Sequence, residues 1–66
     1  MRIEIERETD GRWIAEVPDL PGAMAYGQTE TEARLNATAL ALRIIADRLE
    51  AGEDVPLDVN DFFAAA

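Results

Sequence analysis

The sequence predicts an α+β fold: a three-stranded antiparallel sheet followed by one long helix packed on it, with a short fourth strand after the helix as an optional edge (β-β-β-α-β). Three observations predict it. Strict two-residue alternation fills the N-terminal part of the chain, turn residues punctuate that part twice, and one long apolar-periodic segment opens on a capping sequence and closes on a glycine.

Residues 2–8 alternate, with Ile3 and Ile5 on one face and Glu4, Glu6 and Glu8 on the other, as a half-buried strand does. Residues 12–17 alternate likewise, Trp13, Ala15 and Val17 against Arg12, Ile14 and Glu16. Thr9, Asp10 and Gly11 supply the turn chemistry of a hairpin between them. Its register follows from burial, because a slip of one residue sends every side chain to the opposite face. A two-residue Asp10-Gly11 loop would set Ile5 opposite Glu16 and Glu6 opposite Ala15. A three-residue loop with Gly11 left-handed sets Ile5 opposite Ala15 and Ile3 opposite Val17, and is the one predicted.

Pro18 and Pro21 end the second strand, each lacking a ladder donor, and Pro21-Gly22 fits the centre of a type II turn. Residues 23–27 form a short third strand, Met24 and Tyr26 on one side and the small Ala23 and Ala25 on the other. The pattern leaves open which side meets the core. Thr29-Glu30-Thr31-Glu32 reads as a capping box, with the Thr29 hydroxyl accepting from the Glu32 amide and the Glu32 carboxylate returning to the Thr29 amide. The helix should run to about Ala51, with Gly52 as its left-handed stop and Pro56 beyond it.

At ~100° per residue, Ala33, Ala37, Leu40 and Ile44 form one apolar lobe and Leu35, Leu42, Ile45 and Leu49 a second. A small sheet covers one lobe, so the second, Leu35, Leu42, Ile45 and Leu49, is the candidate oligomer face. The competing reading folds the C-terminal segment, with Val55, Leu57, Val59, Phe62 and Phe63, back over it. Periodicity alone does not say which lobe packs on the sheet. Residues 55–59 alternate and are compatible with the fourth, edge strand.

At 66 residues the chain holds one domain, 1–66, with a modest core, since so short a chain buries only about 60% of the surface its unfolded form exposes. No cysteine is present, so disulfides and thiolate metal sites are excluded, and oligomerisation is the remaining support at this size. No apolar run reaches the ~18 residues of a membrane span and no signal peptide is legible, so a cytoplasmic protein is expected. The net charge of −8, from 14 acids against 6 bases, repels phosphate backbones, which argues against direct nucleic-acid binding and for a basic partner. Solubility alone is the competing explanation of that charge.

Histidine, cysteine, serine and lysine are all absent, which removes the common nucleophiles and the usual near-neutral base. No enzyme, catalytic residue, metal or cofactor is expected. Opposed carboxylates such as Glu4 and Glu16 are compatible in principle with a divalent cation, but solvated acids are the better reading. Gly22 and Gly27 fit no phosphate-binding loop. The candidate partner-binding face is Glu4, Glu6, Ile14, Glu16, Asp19 and Tyr26: an acidic outer sheet face whose plain alternative is a solvated one. Trp13 shares the inner face and reads as core, Tyr26 as a wedge or an interface contact, and Asp19 as a turn former or a partner contact.

The run Asp10-Gly11-Arg12-Trp13-Ile14-Ala15-Glu16-Val17-Pro18-Asp19-Leu20-Pro21-Gly22, followed by Gly27-Gln28-Thr29 and the helix opening Glu32-Ala33, resembles the N-terminal domain of HicB-family antitoxins. Asn36-Ala37, Gly52 and Pro56 also fall where that family places such residues, so the resemblance covers residues 2 to 57. It implies three antiparallel strands with a helix across them, commonly assembled as dimers or higher oligomers, and neutralisation of a small basic ribonuclease toxin of the HicA type by direct binding. Many members add a DNA-binding segment, for which nothing in this sequence reads, and Ala23 stands where a cysteine is often found. The alternative is a solitary oligomeric HicB-like domain with a structural or ligand-sensing role and no toxin.

Overall fold

The computed structural model describes residues 1–56. Its elements are β1 (Glu4–Arg7), β2 (Trp13–Glu16), β3 (Met24–Gly27) and α1 (Glu30–Glu50), with the strands in one antiparallel sheet of order β1-β2-β3. The α+β expectation holds, and so does the hairpin register. Ile5 lies opposite Ala15 and Glu4 opposite Glu16. The Gly11 amide donates to the Glu8 carbonyl at 3.0 Å and the Glu8 amide to the Arg12 carbonyl at 2.7 Å, enclosing Thr9, Asp10 and Gly11 as the three-residue loop. Gly11 has φ +90°, a region L side chains avoid.

Two tight turns in succession join β2 to β3. Leu20 donates to Val17 at 3.0 Å and Ala23 to Leu20 at 2.9 Å, the second turn carrying Gly22 at φ +91° after Pro21, as a type II turn requires. In β3 the small residues face inward: Ala23 is buried and Ala25 half-buried, whereas Met24 and Tyr26 are exposed. The sequence left that choice open because both sets are apolar.

The Glu32 amide donates to Thr29 Oγ1 at 3.1 Å, as expected of the N-cap. The Glu32 carboxylate corrects the expectation by one residue, accepting from the Gln28 amide at 3.2 Å rather than from Thr29. At the other end Gly52, φ +74°, donates to the Leu49 carbonyl at 3.1 Å and Glu53 to Arg48 at 2.8 Å. This is the paired bond pattern of a Schellman stop.

Neither predicted helix lobe packs as a unit. The buried ridge is Ala33, Ala37, Ala41 and Ile45, an i, i+4 row that takes two residues from one lobe, one from the other and Ala41 from neither. Ile45 is therefore core, 6% exposed among Val17, Leu20, Ala23 and Ala41, and not part of an oligomer face. The reason is proximity. α1 packs chiefly on β3 and β2 and least on β1, and a row of small side chains lets it approach where a Leu40–Ile44 row would hold it off. Gly27 marks the closest point: a Cβ there would overlap Ala33 N and stand 2.8 Å from Ala33 Cα and from the Glu32 carbonyl carbon. Trp13 is half-buried beside Ala15, Ala33 and Ala37, with the Arg7 guanidinium 5.7 Å from its ring centroid. The expected fourth strand falls on residues 55–59, of which Val55 and Pro56 are described and are not strand; the rest, with Phe62 and Phe63, lie outside the described residues.

Candidate functional site

Alternation and register together place the outer-face residues in rows across the sheet. Glu4, Glu16 and Met24 form one row, and Glu6, Ile14 and Tyr26 the next. Glu8 and Arg12 follow at the hairpin end, joined through the Glu8 amide. The three strands thus bring five of the six expected partner-face residues together: Glu4, Glu6, Ile14, Glu16 and Tyr26. Asp19 stands apart, exposed within the first of the two turns after β2. Met24 and Glu8 join the face, and a shallow groove of about 280 Å³ runs between Glu4, Glu6, Glu8, Ile14, Glu16 and Met24. Met24 was missed because the side of β3 was undetermined; the register fixes it opposite Glu16.

The chemistry of this face is an apolar centre with an acidic surround. Met24 is 47% and Tyr26 41% exposed, and Ile14 is half-buried between them and β1. Arg12 is held in place twice, by its Nε donating to Asp10 Oδ2 at 2.8 Å and by its guanidinium lying 4.4 Å from the Tyr26 ring centroid, a distance at which a cation is attracted to the ring face. The Arg12 backbone N–H also donates to Asp10 Oδ1 at 3.1 Å and is the main reason the Asp10 carboxyl lies below its ordinary 3.8. Arg2 pairs with Glu4 at 2.9 Å. Glu6, Glu8 and Glu16 have no cationic partner among the described residues.

One pairing is unfavourable as it stands. Glu4 and Glu16 face each other directly across β1 and β2, and like charges in that relation destabilise a sheet. Such an arrangement gains from a cationic group arriving between them. Among the described residues no group of three or more His, Cys, Asp or Glu is placed to hold a metal ion, and no helix is long and apolar enough to cross a membrane.

Of the expected oligomer face, Leu35, Leu42 and Leu49 are exposed, at 64%, 53% and 46%, on α1, while Ile45 is buried on the face of the helix that meets the sheet. A second groove, of about 230 Å³, lies between the N-terminal edge and the helix flank, lined by Met1, Ile3, Val17, Thr38, Ala41 and Leu42 among others.

No family model matches the chain, and no curated protein matches it at the significance required. Among solved structures it is similar to the crystal structure of the N-terminal domain of Burkholderia pseudomallei antitoxin HicB, with 26% identity and a TM-score of 0.74. The match covers 94% of this chain and 76% of that one. With that TM-score over nearly the whole chain, and three antiparallel strands followed by one long helix, the chain has the HicB-like fold of that antitoxin domain.

Proposed function

We propose that this chain is a non-enzymatic, antitoxin-like inhibitor that acts in the cytoplasm by binding a small basic ribonuclease toxin of the HicA type through the outer face of its sheet. One observation carries the assignment to that face: Ile14, Met24 and Tyr26 form an apolar centre surrounded by Glu4, Glu6, Glu8 and Glu16, with Glu4 set against Glu16. Interfaces combine an apolar core with a polar rim in this way. A cationic RNA-binding surface supplies the opposite charge, steers encounter with a chain of net charge −8, and loses its access to RNA once covered. The similarity to an antitoxin domain supports the same reading. Nucleic acid is not a direct ligand of this face, whose carboxylates repel phosphate.

Co-expression of the tagged chain with the product of a neighbouring short basic reading frame tests the proposal. The expected result is a complex that elutes as one mass at low salt, weakens at high salt and no longer cleaves RNA. Elution of the chain alone, with the basic product still cleaving RNA, would reject toxin inhibition in favour of a solitary module.

A further inference from the structure

Sulfur enters this chain at Met1 and Met24 alone, since there is no cysteine. Two-electron oxidation by a peroxide therefore falls on these thioethers, which give up an electron pair more readily than the chain's hydroxyls, carboxylates or amides. Both side chains are open to solvent, Met1 at 56% and Met24 at 47%. Their surroundings differ. Met1 lines the groove at the helix flank, with Ile3, Thr38 and Leu42. Met24 lies opposite Glu16 in the groove of the outer sheet face, which it shares with Glu4, Glu6 and Ile14. It belongs to neither buried cluster, so a change at its sulfur alters the face and leaves the core as it is.

We propose that Met24 is an oxidation switch for the outer sheet face: conversion of its thioether to the sulfoxide by a peroxide weakens capture of a cationic protein partner, an inference that rests on the function proposed above. The step balances without help from the chain. The Met24 Sδ lone pair attacks one oxygen of hydrogen peroxide, an S–O bond forms as the O–O bond breaks, and the departing hydroxide takes the remaining proton and leaves as water. Sulfur is oxidised by two electrons and the peroxide is reduced by two. A dithiol reverses the change, the oxygen leaving as water and the dithiol becoming a disulfide. The consequence is local. One of the three side chains of the apolar centre, Ile14, Met24 and Tyr26, becomes polar, and the residues in its row, Glu4 and Glu16, are carboxylates with no hydrogen to donate to the new oxygen. A partner surface matched to an apolar centre offers none either, and an acceptor buried without a donor lowers affinity by about 10-fold or more. A bound partner also covers Met24, so the sulfoxide forms on the free chain and the complex resists it.

Hydrogen peroxide treatment of the full chain, alone and in complex with the basic product of the neighbouring reading frame, tests this, with the sulfoxide located by peptide mass spectrometry and affinity measured by titration calorimetry. The expected result is a dissociation constant about 10-fold or more higher for the oxidised chain, with circular dichroism unchanged and affinity restored by methionine sulfoxide reductase and a dithiol. Oxidation of Met24, but not of Met1, should be slower in the complex. Met24→Leu retains Met1 as its one methionine, and its affinity, whatever the starting value, should not move with peroxide. Equal binding by untreated and oxidised chains overturns the switch and leaves the proposed function standing. A fall in affinity that Met24→Leu shares, or one accompanied by loss of helical signal, overturns the switch as well, as does oxidation of Met24 at the same rate in free and bound chains. An untreated chain that binds no partner overturns both the switch and the function on which it rests.

Discussion

Gly27→Ala should be among the most damaging single-methyl changes available to this fold, for a reason that is spatial and not conformational. Gly27 is not among the glycines with positive φ, so alanine suits its backbone. The added Cβ, however, would overlap Ala33 N and lie 2.8 Å from both Ala33 Cα and the Glu32 carbonyl carbon. All three are backbone atoms in the first turn of α1, so no side chain can swing aside; the helix must move off β3. Overpacking of this kind costs about 1–3 kcal/mol, and the upper end applies where the obstacle is main chain. A domain this size has only about 3–10 kcal/mol of total stability, and each kcal/mol shifts Tm by about 4–8 °C. A fall of about 10–20 °C is therefore expected in thermal unfolding followed by helical circular dichroism, at one fixed protein concentration so that association does not confound the comparison. Gly11→Ala is the control: φ is +90° and nothing lies within 4 Å of its Cβ, so it carries only the backbone strain of about 1–2 kcal/mol. A Gly27→Ala variant that melts within a degree or two of wild type would refute the close-approach argument.

Other substitutions separate the remaining contributions. Ile45→Ala should lower the urea-unfolding free energy by about 2–4 kcal/mol, because Ile45 is enclosed by Val17, Leu20, Ala23 and Ala41; the exposed Leu49→Ala should cost well under half of that in the protomer. Thr29→Ala removes the oxygen that accepts the Glu32 amide and should cost about 1 kcal/mol by the same assay. Glu16→Gln relieves the opposition to Glu4 and should raise stability by about 0.2–1 kcal/mol, with the gain shrinking in high salt. The Asp10 carboxyl, held low chiefly by the Arg12 amide and then by its guanidinium, favours folding above its ordinary 3.8 and loses that contribution as pH falls through its lowered value. The difference in urea midpoint between wild type and Asp10→Asn should accordingly narrow as the solution is acidified below that range; a constant difference would show that ionisation is not involved.

Much of the fold was legible because turn chemistry and alternation constrain each other. The three-residue loop was the one length that kept Ile5 with Ala15, and the glycines at 11, 22 and 52 each sit where a left-handed residue was needed. The helix face was read less well. An ideal helical wheel groups residues by angle and weights large apolar side chains, whereas packing selected the i, i+4 row of small residues that drifts across the wheel from Ala33 to Ile45. That drift put Ile45 in the core and left Leu35, Leu42 and Leu49 outside it. Gly27 carried the missing signal: a glycine just before the helix cap, with no turn to explain it, marks a close backbone approach. Of the candidate site, the acidic rows were legible from strand parity, but Met24 required knowing which side of β3 faces in.

The central claim, that the outer sheet face captures a cationic protein surface, is tested most directly by titration calorimetry of the basic partner against wild type and a Glu6→Arg/Glu16→Arg variant at two salt concentrations. The predicted result is wild-type affinity that falls with salt, and a loss of at least ~10-fold for each reversed charge in a variant whose Tm is not lowered. Binding of the variant at wild-type affinity, with no change in salt dependence, would contradict it and place the partner elsewhere on the molecule.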